Sequence, residues 1–142
     1  MNFDRFYNYK NLNLKDYGPN PFVFNIEEVT EGNNYFRVAL WTGEHMQLTL
    51  MSIPVNDSIG LEFHDVDQFI RLESGNALVE MGKDKNNLNY REFAYDDYAI
   101  IIPAGTWHNV TNVGNKPLKL YSIYAPINHK KDTIQKTKYD KE

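Results

Sequence analysis

Asp97-Tyr98-Ala99-Ile100-Ile101-Ile102-Pro103-Ala104-Gly105-Thr106-Trp107-His108-Asn109-Val110-Thr111-Asn112 is the stretch that decides the fold. An apolar run ends at Pro103, a glycine follows two residues later, and His108 stands near the start of the next extended segment. Proline has no N–H to give to a ladder, and glycine takes positive φ at little cost. Pro103 and Gly105 therefore mark a tight corner between two strands. Such a corner fixes the direction of the His108 side chain. An imidazole turned into a β interior needs a hydrogen-bond partner or a metal ion.

Outward from this corner the chain reads as short strands. They are expected at 35–41, 45–53, 59–64, 67–73, 76–82, 88–94, 97–102, 106–112 and 117–124. Breaks fall at Asn56-Asp57, Gly75-Asn76, Lys83 to Asn87 and Gly114-Asn115. Many short strands with regular turn signals make an all-β sandwich or barrel. Before them, Tyr17 to Pro21 reads as a turn cluster and Phe22 to Phe24 as a short strand. Asn25 reads as the N-cap of one or two helical turns ending near Glu31. The expected organisation is an N-terminal extension over 1–34, a barrel over 35–125 and a Lys-rich tail over 126–142. The tail reads as a surface extension or a partly ordered segment.

At 142 residues and 42% hydrophobic, the chain is long and apolar enough for one domain with a real core. Ten Tyr and eight Phe suit strands better than helices. No cysteine is present, which removes disulfide and thiolate chemistry and suits a reducing cytoplasm. The start, Met1-Asn-Phe-Asp-Arg-Phe-Tyr7, lacks a basic region followed by an apolar stretch, so no signal peptide is expected. No apolar run approaches the length of a bilayer span, so no membrane partner is expected. A net charge of −4 without a basic stripe argues against a nucleic-acid partner.

Two segments together resemble the cupin superfamily. Its second motif runs Gly, Pro-x-Gly, His, Asn; Pro103, Gly105, His108 and Asn112 match, and Asp97 replaces the leading Gly. Its first motif runs His-x-His, a short gap, Glu, then Gly. Here Glu62 stands at the first His position, His64 at the second, Gln68 at the Glu position, and Gly75 closes the motif. The resemblance implies an all-β double-stranded β-helix, a jelly-roll barrel, with a divalent metal at its mouth and commonly a homodimer. The chain is similar to small bacterial cupins often labelled mannose-6-phosphate isomerase-like, a label that speaks to fold rather than to activity.

Strand period supports the same site. Alternate residues share a face, so Glu62 and His64 point the same way, and His108 points with Val110 and Asn112. Glu62, His64, Gln68 and His108 are the expected metal site. Two imidazoles and one carboxylate suit divalent Mn, Fe, Co, Ni or Zn, with positions open for water or ligand. Gln68 is a neutral oxygen donor, fit for ligation or for orienting a bound water. Glu62 is also the candidate general base. Asn112 is expected to fix a strand end, and Asp96-Asp97 to form a turn. His45 and His129 carry no motif and read as surface residues. Trp107 and Tyr124 suit either a cavity lining or the core. Arg37, Arg71 and Lys119 would suit an anionic ligand if one faced inward, although a solvated face is the commoner fate. Two function classes stay open. One is a metal-dependent enzyme on a small polar molecule, an isomerase or an iron-dependent dioxygenase. The other is a non-catalytic barrel that binds a sugar or similar ligand.

Overall fold

The computed structural model describes residues 12–142. The expected N-terminal extension falls partly outside them, at residues 1–11. One short helix, α1 (Ile26–Gly32), precedes ten strands: β1 (Arg37–Thr42), β2 (Gln47–Ile53), β3 (Glu62–His64), β4 (Asp67–Ser74), β5 (Ala77–Gly82), β6 (Tyr90–Ala94), β7 (Ala99–Ile102), β8 (Thr106–Asn112), β9 (Leu118–Ala125) and β10 (Ile134–Gln135). The strands form two antiparallel sheets, ordered β10-β1-β2-β9-β4-β7 and β3-β8-β5-β6. This is the jelly-roll arrangement that the cupin resemblance implies, within the all-β class that the turn spacing predicts.

Between the sheets lies the core. Met51, Ile53, Ile70, Leu72 and Leu120 project from the larger sheet against Val79, Met81 and Val110 of the smaller one. Each such side chain contributes about 1.5–3 kcal/mol on burial. A second cluster covers the outer face of β1 and β2, where Val38, Leu40, Leu48 and Leu50 lie under Leu12, Leu14, Tyr17, Phe22 and Phe24. Every residue of β2 is therefore buried. Phe22 to Phe24, expected as a strand, joins no ladder. Instead the rings stack, Tyr17 on Phe22 at 4.4 Å and Phe22 on Phe24 at 4.6 Å. Asn25 caps α1 as expected, its Oδ1 accepting from the Glu28 N–H at 3.2 Å.

The corner at Pro103–Gly105 is built as the sequence indicates. Gly105 has φ +76 and open space where a Cβ would lie, so its conformation and not crowding favours glycine. Its N–H donates to the carbonyl of His64 at 2.8 Å, and the Ala104 N–H donates to Asp67 Oδ1 at 2.9 Å. Asp97, the departure from the motif's leading glycine, has φ 72. Aspartate tolerates this left-handed conformation better than most residues. Its carboxylate also accepts from Arg71 Nη2 at 2.8 Å. Strand β3 is shorter than the 59–64 expected, because Gly60 (φ +99) breaks the extended run. Alternation along 59–64 would give Ile59, Leu61 and Phe63 one face; instead Ile59 is buried while Leu61 and Phe63 are exposed.

At the far end of β8, Asn112 is buried. Its Nδ2 donates to the carbonyls of Ile53 (3.0 Å) and Lys116 (2.9 Å), and its Oδ1 accepts from the Gly114 N–H (2.9 Å). It locks the β8–β9 turn onto β2, the strand-end role expected of it. With about 1 kcal/mol for each bond and unpaired backbone groups left behind, Asn112→Ala should lose about 2–3 kcal/mol in urea unfolding. A loss below about 0.5 kcal/mol would show that these bonds do not hold the turn.

Candidate metal centre

Strands β3 and β8 pair antiparallel with Glu62 opposite His108 and His64 opposite Thr106. Glu62 and His64 share a face by strand period, and the register sets His108 beside Glu62 on that face. One donor atom from each of Glu62, His64 and His108 lies within 4.8 Å of the others. His64 Nε2 is 3.6 Å and His108 Nε2 4.0 Å from the same oxygen, Glu62 Oε1. The two imidazole rings are 5.2 Å apart.

These separations are too long for good hydrogen bonds. Both Nε2 atoms are buried and have no hydrogen-bond partner among the described residues. Donors that share a divalent ion at about 2.0–2.2 Å sit roughly 3–4 Å apart, so the three atoms fit around one. The tautomer of His108 agrees. Its Nδ1 lies 2.9 Å from the Thr106 carbonyl, which can only accept, so the proton is on Nδ1 and the Nε2 lone pair is free. Two imidazoles and a carboxylate form a set typical of mid-row divalent metals.

Electrostatics keep Glu62 and His108 in their ligating forms. Burial lowers the pKa of His108, outweighing the opposing pull of the Thr106 carbonyl and Glu62. Burial also pushes the Glu62 carboxyl up, but His64, Arg37 and His108 together hold it below its ordinary value. Arg37 Nη2 lies 3.3 Å from Glu62 Oε2.

Gln68, the fourth expected site residue, stands on β4 in the other sheet. It is buried, its Nε2 donates to Ser122 Oγ at 3.2 Å, and its Oε1 has no partner. Its cross-strand neighbour is Tyr124, whose ring packs edge-on against His64 at 5.7 Å. Burial pushes the Tyr124 phenol up to about 12, so it stays protonated at neutral pH.

Two residues depart from expectation. His129, read as a surface residue, is only 5% exposed. Its Nδ1 meets Glu142 Oε1 at 2.5 Å and its Nε2 meets the Tyr124 hydroxyl at 3.2 Å. Gln47 fastens it there, accepting from the His129 N–H at 2.8 Å and donating to the His129 carbonyl at 2.9 Å. Arg37, for which a solvated face is the common fate, is 4% exposed beside Glu62. Strand period places Arg37 on one face of β1 with Ala39, but that this face is the inward one follows from the covering of Val38 and Leu40 by the segment before α1. No local signal marks His129, which lies on an irregular segment. His45 is exposed as expected.

The cupin domain profile matches residues 49–124, which contain all four expected site residues. The chain belongs to the cupin family. Relatives of this cupin include the uncharacterized protein YrkC of Bacillus subtilis (strain 168), 60% identical over 135 residues that span 94% of this chain and 73% of YrkC. A protein of Acanthamoeba polyphaga mimivirus, also uncharacterized, is 42% identical over 110 residues, 76% of this chain and 67% of that one. A crystal structure from Bacillus halodurans superposes with a TM-score of 0.86 at 60% identity, covering 87% of this chain and 95% of that one. KdgF from Halomonas sp. shares the fold, with a TM-score of 0.56 at 14% identity over 65% of this chain and 80% of that one. Among the described residues, no helix is long and apolar enough to cross a membrane.

The lowered pKa of His108 has a measurable consequence. In the unfolded chain a histidine titrates near ~6.5. As pH falls through that value the unfolded state takes up the proton first, so the stability that His108 contributes is present above it and is lost on acidification. With a chelator present, unfolding free energy should fall more steeply from about pH 7 to about pH 5 in the parent than in His108→Gln. Equal slopes would remove His108 as the source; His129, also lowered by burial, contributes equally to both proteins.

Proposed function

We propose that this cupin binds one divalent transition metal through Glu62, His64 and His108 and uses it to hold a small polar, oxygen-bearing molecule such as a sugar. The observation that carries this reading is the pair of buried, unpartnered Nε2 atoms facing one carboxylate oxygen. Leaving two such atoms unpaired costs about 1–3 kcal/mol each, a cost that a bound ion removes. We assign Gln68 Oε1 to the same interior, as a fourth oxygen donor or as the acceptor that orients a bound water. When bound, the ion would act as a Lewis acid on a carbonyl or hydroxyl of the ligand. Glu62, anionic and tied to Arg37, serves the metal in this reading rather than acting as a general base.

The ligand is not expected to be a phosphosugar. The three basic residues that might have anchored phosphate are committed elsewhere. Arg37 serves Glu62, Arg71 pairs with Asp97 and Glu73, and Lys119 Nζ is held by the Asn33 carbonyl and Asn34 Oδ1. No isomerase step is therefore assigned. With no cysteine in the chain, we place the protein in the reducing cytoplasm.

Elemental analysis of protein purified without chelator tests the proposal. About one equivalent of metal in the parent and loss of most of it in a folded His108→Ala variant are expected. Iron would direct assays to dioxygen consumption; manganese, cobalt, nickel or zinc would direct them to isomerisation or hydrolysis. No metal in the parent, even after reloading, would move the assignment to a metal-free ligand-binding barrel.

We further propose a homodimer that buries the open edges β6 and β7. Each ends its sheet, and Tyr90, Phe93, Tyr98 and Ile101 there are 54%, 57%, 48% and 62% exposed. Free strand edges carrying apolar side chains are ready to pair. Light scattering should give a dimer for the parent and a monomer for Phe93→Asp combined with Ile101→Asp. A monomeric parent at high micromolar concentration would rule the dimer out.

A further inference from the structure

The C-terminal segment does more than cover the fold, and its contacts converge on one metal-site residue. Strand β10 pairs with β1 so that Gln135 stands directly opposite Arg37. Gln135 Nε2 donates to the Asp140 carbonyl at 2.7 Å. A carbonyl can only accept, so this bond fixes the amide and turns Oε1 toward Arg37. Arg37 Nη1 donates to that oxygen at 2.6 Å, and Nη2 reaches Glu62 Oε2 at 3.3 Å. The remaining carboxylate oxygen, Oε1, faces His64 and His108.

The Asp140 carbonyl is itself held in place. The Asp140 side chain accepts from the Lys136 N–H (2.9 Å) and the Thr137 hydroxyl (2.9 Å), and its N–H donates to the Thr137 carbonyl (3.2 Å). Among the described residues Arg37 Nε has no hydrogen-bond partner, and the guanidinium is oriented by Gln135 on one side and Glu62 on the other.

We propose that strand β10 supports the metal centre, with Gln135 as a positioning residue that acts through Arg37 to present Glu62 Oε1 to the ion. This rests on the metal reading above. The long, partly buried Glu62 side chain has one more rotatable bond than the imidazoles, and Arg37 restrains it only while its own fork is held. Partners of metal-ligating groups typically change metal affinity by about 10–100-fold when removed.

The test compares metal affinity in the full chain by competition against a chromophoric chelator, with manganese and zinc as probes. Gln135→Met keeps length and burial but has no acceptor for Arg37. It should bind about 10–100-fold more weakly than the parent and show a smaller rise in melting temperature on adding metal. Lys131→Ala is the control. It removes another tether of the same segment, to the Gly18 carbonyl (2.8 Å) and Asp16 (3.4 Å), outside this chain of contacts. It should stay within about threefold of the parent, small against the effect of losing a true ligand support. Circular dichroism checks folding. If Gln135→Met does not fold, Arg37→Lys carries the test, because an ammonium keeps the charge but cannot hold two acceptors on one planar fork. Equal affinity in the parent and the folded variant would overturn the inference, as would an equal loss in Lys131→Ala. A parent that takes up no metal would overturn the proposed function instead.

Discussion

The antiparallel register of β3 on β8 is the constraint on which the site depends. It sets Glu62 opposite His108 and His64 opposite Thr106. A slip of one residue would turn every side chain of β3 to the other face. The three-residue strand β3 could not hold that register alone. The Pro103–Gly105 corner holds it, through the Gly105 N–H on the His64 carbonyl and the Ala104 N–H on Asp67. The glycine's value here is conformational, since a Cβ would meet nothing.

A buried imidazole beside a partly buried imidazole and carboxylate carries a desolvation cost. The protein offsets it with a graded set of partners. The Thr106 carbonyl takes one imidazole proton, and Arg37 takes one carboxylate oxygen. What these partners leave uncovered are three atoms that face one another. Around them stand Tyr124, kept protonated by burial, and His129, held by Gln47 and Glu142. Toward the middle of the sheets the interior passes into aliphatic packing built on Met51, Ile70, Leu72 and Val110.

This polar end is assembled from distant parts of the chain. Arg37 and Gln47 come from the first two strands, Glu62 and His64 from the third, His108 from the eighth, and His129 and Gln135 from the segment after β9. The C-terminal segment is the least regular of these, with only the two-residue strand β10 after β9. Its order rests on polar contacts, including the Lys131 tether to Asp16 and the ion pair of Lys138 with Asp57.

The all-β class and the strand sequence were legible from residues alone, while Glu62, His64, Gln68 and His108 were singled out by the cupin resemblance with strand period in support. Alternation has a period of two, corners need glycine or proline, and ligands two apart on a strand must share a face. The motif departure at Asp97 was legible as a departure, but its harmlessness was not, because φ 72 appears only in the folded backbone. Phe22 to Phe24 looked like a strand because aromatic residues favour strands, yet ring stacking rather than a ladder holds it. The burial of His129 and the alignment of Gln135 with Arg37 lay beyond any local pattern. They depend on where an irregular segment docks, and that is set by contacts between residues nearly a hundred positions apart. The sequence by itself determined the strands and the shared face of Glu62 and His64, because those follow from local backbone geometry. Only the tertiary structure decided which residues surround Glu62, His64 and His108, because long-range docking is a property of the assembled surface and not of any window of the chain.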